Sequence, residues 1–372
     1  MIQNRKNVGI VTWYEPSNYG TGLQAFALKK YFEILGYNVF FIDDRRINVL
    51  NTKENKLKKL ASKIWWKKQQ YRFDNKIRNQ MQNIFISEYC QVEHLITNED
   101  IDRLNNNTDV FVSGGDQIWN PFVTKPYLML DFVNSNKPKI SYGTSVGVKE
   151  IPTEYLELYK KYISSYKYIS VREKQSVDAL MKCITNPITE VVDPTFLLSN
   201  IEWNDLMNNA KLDKSSFNEP FIFCYFVGER HSYWDYVEKI RKSTGYRVIV
   251  VPINDEGYNN KYKKYVKVSP AEFLWLLKKA SIVCTDSFHA TVFSLQFGKE
   301  FYVLKRFIDS EKSSQNGRIY NLLDRYGIKD RIVEDESLFS YSSKIDYKEV
   351  WNKIEEDRQR SREWLKKTIA NL

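Results

Sequence analysis

Cysteine and histidine are scarce in this chain: four and three residues out of 372. Cys90, Cys183, Cys224 and Cys284 lie far apart and form no C-x-x-C pair. That excludes a disulfide scaffold, and with only His94, His231 and His289 available it leaves no recognisable zinc spacing. No apolar run approaches the roughly 18 residues that a membrane-spanning helix needs. The opening MIQNRKNVGIVTWY carries no apolar stretch after its basic residues long enough for a secretory signal. The expected address is therefore a reducing cytoplasm. Neither a metal nor an organic cofactor is expected.

What the chain does have is length, aromatics and an uneven charge. At 372 residues and 42% hydrophobic, it has room for two domains with sizeable cores. The net charge of +10 is concentrated. Between Lys53 and Arg78 ten basic residues face only Glu54 and Asp74, a net +8 that leaves +2 for the rest. Leu57, Leu60 and Ile64, continued by Trp66, Phe73 and Ile77, give this stretch an apolar side. A basic amphipathic segment with Trp at its edge fits either an anionic membrane surface or a solvated helix packed on its own domain. No nucleic-acid fold signature accompanies the charge, so no nucleic-acid partner is expected.

The apolar runs predict an open α/β architecture. Asn7–Trp13 reads as a strand, Tyr14–Gly22 as a loop, and the spacing of Leu23, Phe26, Ala27, Tyr31 and Ile34 as an amphipathic helix. Asn38–Asp43 is the next strand; Asp109–Ser113, Lys139–Thr144, Tyr168–Arg172 and Glu190–Asp193 follow. The polar stretch 200–220 marks a boundary, giving domains 1–200, with the basic segment 53–78 inserted, and 201–372. The second domain repeats the alternation, with strands at Phe221–Val227, Arg247–Pro252, Ser281–Thr285 and Glu300–Leu304. Tyr347–Ile369 reads as a long charged helix closing the chain.

In open α/β sheets, ligands bind beyond the carboxyl ends of strands. Four such loops carry chemistry. Asn18, Gly20 and Gly22 precede a helix, where backbone N–H groups can meet an anion; an ordinary strand-to-helix turn would look the same. The full G-x-G-x-x-G pattern is missing there, which disfavours a nicotinamide cofactor. Ser113-Gly114-Gly115-Asp116-Gln117-Ile118-Trp119-Asn120 offers a carboxylate, two amides and a ring, a mixture that suits a sugar. Otherwise Asp116 caps a helix and Trp119 is core. Arg172, at a strand end, either clamps an oxyanion or pairs with an acid such as Glu173. Thr285-Asp286-Ser287-Phe288-His289 holds the only histidine in a setting suited to proton transfer.

Together and in this order, SNYGTGLQAFAL, DVFVSGGDQIWNP, KISYGTSVG, ISVREKQSVDAL, VVDPTFLL and TDSFHATVFSLQFGKEFYVL resemble the polysaccharide pyruvyltransferase family. The likeness runs from about Val8 to about Arg331. It implies a GT-B-like fold of two Rossmann-type domains facing across a cleft. It also implies transfer of pyruvate from phosphoenolpyruvate to a sugar of a surface-polysaccharide intermediate, here expected to be lipid-linked, closing a cyclic ketal. By the resemblance, His289 is the active-site histidine and Arg172 the residue that grips the donor's phosphate. Asp116, or Glu173, orients or deprotonates the sugar. Asn18, Gln117, Trp119 and Asn120 shape the acceptor pocket, with Gly20, Gly114 and Gly115 allowing close approach. Many members carry Arg where this chain has Ser287, so another cation must complete the anion site. Lys305, Arg306, Arg318 and Arg331 are candidates, with Arg318 preferred. A GT-B glycosyltransferase using a nucleotide sugar is the competing reading, because fold alone does not fix function.

Overall fold

The computed structural model describes residues 5–14, 18–45, 72–311, 314–333 and 344–372. The first half is built on a parallel sheet of five strands: β1 (Asn7–Val11), β2 (Asn38–Asp44), β3 (Val92–Leu95), β4 (Val110–Gly114) and β5 (Lys139–Tyr142), in the order β3-β2-β1-β4-β5. The pairing aligns Val8 with Val39 and Val110, and Ile10 with Phe41 and Val112. These central strands are apolar on both faces because helices cover both, the usual pattern of a parallel sheet. Two short strands, β6 (Ile169–Val171) and β7 (Ile188–Glu190), pair with each other. Isolated bridges from Ile140 to Tyr168 and from Thr144 to Val171 join them to the β5 edge.

The second half repeats the plan with six parallel strands: β8 (Phe221–Tyr225), β9 (Arg247–Val250), β10 (Lys263–Lys264), β11 (Ile282–Thr285), β12 (Glu300–Leu304) and β13 (Ile332–Val333), in the order β10-β9-β8-β11-β12-β13. Its helices start on the signals the sequence shows. Ser269 and Glu272 form a capping box with Pro270 in the first turn, and Ser287 caps the helix Phe288–Gln296.

One apolar core runs through both halves. Phe26 of the helix Tyr19–Ile34 meets Trp203, and Trp203 packs edge-on to Phe293 at 5.0 Å. Tyr19 stacks on Phe273 at 4.5 Å. The last helix, Tyr347–Ala370, returns to the first half. There Arg358 Nε donates to the Phe196 carbonyl at 2.7 Å and Arg362 Nε to that of Leu197 at 3.0 Å. The carboxyl ends of the two sheets face each other: the Tyr19 amide, after β1, donates to the Tyr225 hydroxyl, at the end of β8.

The basic segment falls largely outside the described residues, which resume at 72 with the helix Arg72–Tyr89. Arg78 departs from the interfacial reading. It is only 7% exposed and turns toward the protein rather than to a surface. No described helix is long and apolar enough to cross a membrane.

Candidate active site

The loop after β4 is held by backbone conformation. Gly115 has φ +64° and Asp116 φ +52°, both left-handed. Asp tolerates that region because its short side chain bonds locally. Here the Asp116 carboxylate accepts from the Gln117 amide at 2.9 Å and from Thr21 Oγ1 at 3.3 Å. The two glycines serve packing rather than ligand approach. A Cβ on Gly114 would strike Leu28, and one on Gly115 the Gln24 amide. The pair lets the helix Tyr19–Ile34 lie directly on the strand ends.

Arg172 does not project into open space. Its side chain is fully buried and spans three carboxylates. Nη1 meets Asp193 Oδ2 at 2.8 Å, Nε meets Glu173 Oε2 at 3.3 Å, and Nη2 meets Asp116 Oδ1 at 3.5 Å. Glu173 in turn accepts from the hydroxyls of Ser145 and Ser176. Arg172 is thus engaged by three acids and forms a buried charge hub.

Asp193 is the residue that sequence reasoning passed over. It follows β7 inside the quoted VVDPTFLL and caps a short turn through Thr195. Its Oδ2 lies 3.5 Å from His289 Nε2, an ion-pair distance without a well-formed hydrogen bond. Burial pushes the Asp193 carboxyl up, but His289, Arg172 and Thr195 outweigh it and hold the group well below its ordinary value. For Asp116 burial also acts upward, and Arg172, His289 and Arg318 together bring it below the usual range. An acid before proline at a strand end was the available signal.

Arg318 enters from the helix Asn316–Arg325 and closes the other side. It is 6% exposed. Its Nη2 donates to Gln315 Oε1 at 3.0 Å. The Gln117 amide satisfies its surroundings with its oxygen 2.9 Å from both Nη atoms of Arg318. Arg318 Nε has no partner among the described residues. Burial first, and then the nearby Arg172 and Arg306, lower its pKa to about 9. This guanidinium is under-compensated, and an oxyanion beside it would relieve that. The Phe288 ring contacts both arginines, its centroid 4.5 Å from Arg172 and 5.5 Å from Arg318. Arg306 stands nearby, 3.4 Å from Gln315. Lys305 pairs with Asp309, and Arg331 with Glu300 and Asp330, which takes both away from this cluster.

His289 lies in the first turn of its helix, 6% exposed, and its ring presses on the backbone of Gly20 across the junction of the halves. The helix Tyr19–Ile34 begins earlier than expected, so Gly20 sits in its first turn rather than in a loop. A Cβ there would fall against Cβ, Cγ and Nδ1 of His289. Gly20→Ala is therefore expected to displace the imidazole. A misplacement of about 1 Å costs on the order of 10²-fold in turnover. The check is kcat of Gly20→Ala against wild type, with circular dichroism to confirm that the fold persists.

Several expected pocket residues take structural roles. Trp119 is fully buried; its Nε1 donates to Ser113 Oγ at 3.1 Å, and its ring meets Tyr166 edge-on. It is core and offers no face to a sugar. Asn120 is buried 3.1 Å from the Gln117 amide and accepts from the Phe122 amide. Asn18 caps its helix through Thr21, and Ser287 through Ala290. Asp286 accepts from the amides of Val227 and Gly228, and burial raises its pKa. Among the described residues no cluster of His, Cys, Asp and Glu is placed to hold a metal ion.

Behind Phe288 a cavity of about 30 Å³ is lined by Arg172, Asp193, Phe288 and Arg318, among others. That is room for a water molecule. The arrangement therefore combines a sequestered imidazole, an under-compensated guanidinium and a carboxylate held ionised. It can hold an oxyanion, move a proton and stabilise a carbon that becomes positive.

Comparison with known proteins agrees with this architecture. A family model described as polysaccharide pyruvyl transferase matches residues 18–306. The UDP-GlcNAc 2-epimerase of Neisseria meningitidis, solved with UDP-GlcNAc, superposes with a TM-score of 0.51 at 10% identity, covering 96% of this chain and 93% of that one. MurG of Acinetobacter baumannii gives 0.47 at 9% identity over 99% and 100%. The UDP-GlcNAc 2-epimerase of Methanocaldococcus jannaschii gives 0.47 at 11% over 94% and 92%. The likeness to the Neisseria enzyme is one of fold: two Rossmann-type halves in a GT-B-like arrangement. No curated protein matches the chain in sequence.

Proposed function

This chain belongs to the polysaccharide pyruvyl transferase family, and on that premise we propose that it moves pyruvate from phosphoenolpyruvate onto two hydroxyls of one sugar, closing a cyclic ketal. The acceptor is a surface-polysaccharide intermediate carried on a lipid. The segment 53–78, apart from Arg78, brings the enzyme to the membrane face where that lipid resides. The observation that carries the donor reading is Arg318: a buried, under-compensated guanidinium that acts on Asp116 together with His289, whose Nε2 has no hydrogen-bond partner among the described residues.

The chemistry balances without oxidant or water. The methylene carbon of phosphoenolpyruvate gains a proton, so C2 becomes electrophilic. One sugar hydroxyl adds to C2; a second adds as the C2–O bond to phosphate breaks. Two C–O bonds form, and the two hydroxyl protons end on the methyl group and on the departing phosphate. His289 moves the proton at the methylene carbon. Arg318, with Arg306 beside it, holds the donor's phosphate, a task for which Arg172 is already occupied. Asp116 stays ionised and faces the positive charge that develops at C2. Its depressed pKa suits that electrostatic task, and the orientation of a hydroxyl, better than proton abstraction. Arg172 and Asp193 are positioning residues that fix Asp116 and His289.

Arg318→Met tests the donor site. A hydrogen bond to a charged group contributes about 1.5–3 kcal/mol. The variant is therefore expected to raise KM for phosphoenolpyruvate by roughly 10- to 100-fold, with KM for the acceptor little changed. An unaltered KM for phosphoenolpyruvate would remove Arg318 from the donor site.

A further inference from the structure

The helix Arg72–Tyr89 presents a second set of donors that the proposed donor site does not use. Asn75, Arg78 and Gln82 fall at i, i+3 and i+7, on one face of this helix. Asn75 Oδ1 accepts from the Tyr258 hydroxyl of the second half at 3.2 Å, so this face looks across the junction between the halves. Arg78 and Gln82 are 7% and 3% exposed. Arg78 Nε and Nη1 and Gln82 Nε2 have no hydrogen-bond partner among the described residues. No carboxylate forms an ion pair with Arg78 among the described ion pairs.

The guanidinium, whose Nη2 donates to Asn79 Oδ1 at 3.3 Å, lies within electrostatic reach of Tyr19 and Tyr225. Its charge offsets part of the burial that raises the phenols of Tyr19 and Tyr225. Tyr19 immediately precedes Gly20, whose backbone carries the His289 ring. Tyr225, at the end of β8, also feels Arg306. An unpaired buried guanidinium is costly, and so is an unpaired buried amide N–H. The three unsatisfied donor nitrogens, on adjacent turns, match a ligand rich in acceptors. Arginine's planar fork favours a phosphoryl group, which it meets through paired hydrogen bonds.

We propose that Arg78 and Gln82 form a second oxyanion subsite, which holds a phosphoryl group attached to the acceptor sugar while the donor occupies the Arg318 side. This rests on the donor reading given above for Arg318. It makes the substrate a sugar phosphate or sugar diphosphate rather than a finished glycan, and so places the enzyme before polymerisation, downstream of a reaction that attaches sugars to a phosphorylated carrier.

The test uses the full chain and two probes, inorganic pyrophosphate and phosphoenolpyruvate, titrated by calorimetry. Arg78→Met is expected to weaken pyrophosphate binding by about tenfold or more, and Gln82→Leu by a smaller factor. Both effects should persist in an Arg318→Met background, where the donor site no longer competes. Phosphoenolpyruvate should show the reverse dependence, sensitive to Arg318 and indifferent to Arg78. With turnover as readout, Arg78→Met should raise KM for a phosphorylated acceptor and leave that for its dephosphorylated analogue unchanged. Should Arg78→Met fail to fold, Arg78→Lys and Gln82→Leu carry the same comparison. Pyrophosphate affinity unchanged in every variant would overturn the subsite. So would Arg78 substitutions that weaken phosphoenolpyruvate instead, because the phosphate held there would then be the donor's. Loss of phosphoenolpyruvate binding on Arg318→Met is read separately, so the two readings fail independently.

Discussion

His289→Asn is expected to lower kcat by roughly 10²- to 10⁴-fold, the usual contribution of a positioned general acid–base group. The fold should survive. The amide is no larger than the imidazole, so it still fits against Gly20, and the helix Phe288–Gln296 keeps its Ser287 cap. What the amide cannot do is move a proton. The substitution also removes the charge partner that helps hold Asp193 ionised. KM for phosphoenolpyruvate should change far less than kcat, since Arg318 supplies the donor's main anchor. Steady-state kinetics alongside a thermal melt check both halves of the expectation. Near-wild-type turnover would take His289 out of the mechanism.

Arg172→Met is expected to have the largest effect on stability, about 3–5 kcal/mol of loss, as for a buried ion pair that loses one partner. Asp193, Glu173 and Asp116 would remain buried without the guanidinium that they share. The pH dependence should flatten. In the wild type Asp193 titrates below its ordinary value of 3.8, so the unfolded chain binds more protons. The corresponding stability is present above that value and is lost as pH falls through the folded pKa. Without Arg172, Asp116 loses the largest of the influences that hold it low and Asp193 loses one of several, so both carboxyls move up toward their ordinary values. The difference in proton binding between unfolded and folded chains shrinks, and the variant gains less stability than wild type as pH rises from acid toward neutrality. Urea melts at several pH values distinguish the two slopes. A variant as stable as wild type at neutral pH would show that Arg172 is not the hub its contacts describe.

The central strands were legible because burial on both faces leaves continuous apolar runs; β1, β2, β4, β8 and β11 all read directly. Val92–Leu95 was not, because an edge strand carrying Glu93 and His94 lacks that signature. The run before Asp193 placed a strand too late. Val191 and Val192 are buried because they enter the shared core, while the strand itself ends at Glu190. Gly20 read as a loop glycine because nothing local reveals that a histidine 269 positions later will press on it. The same limit governs Arg172 and Trp119. A strand-end arginine and a tryptophan beside polar residues look alike whether they face a ligand or the core, and only the tertiary contacts separate the cases. The choice among four cations was of this kind too. Arg318 reaches Gln117 only because the helix Asn316–Arg325 folds back onto the β4 loop.

Supplying phosphoenolpyruvate and, in separate reactions, nucleotide sugars, each with a lipid-diphosphate-linked sugar acceptor, tests the central claim most directly. Phosphate release and product mass are followed together. The account predicts one phosphate released per acceptor, with the product heavier by pyruvic acid less one water, and no consumption of nucleotide sugar. Glycosyl transfer from a nucleotide sugar, with phosphoenolpyruvate left intact, would contradict it.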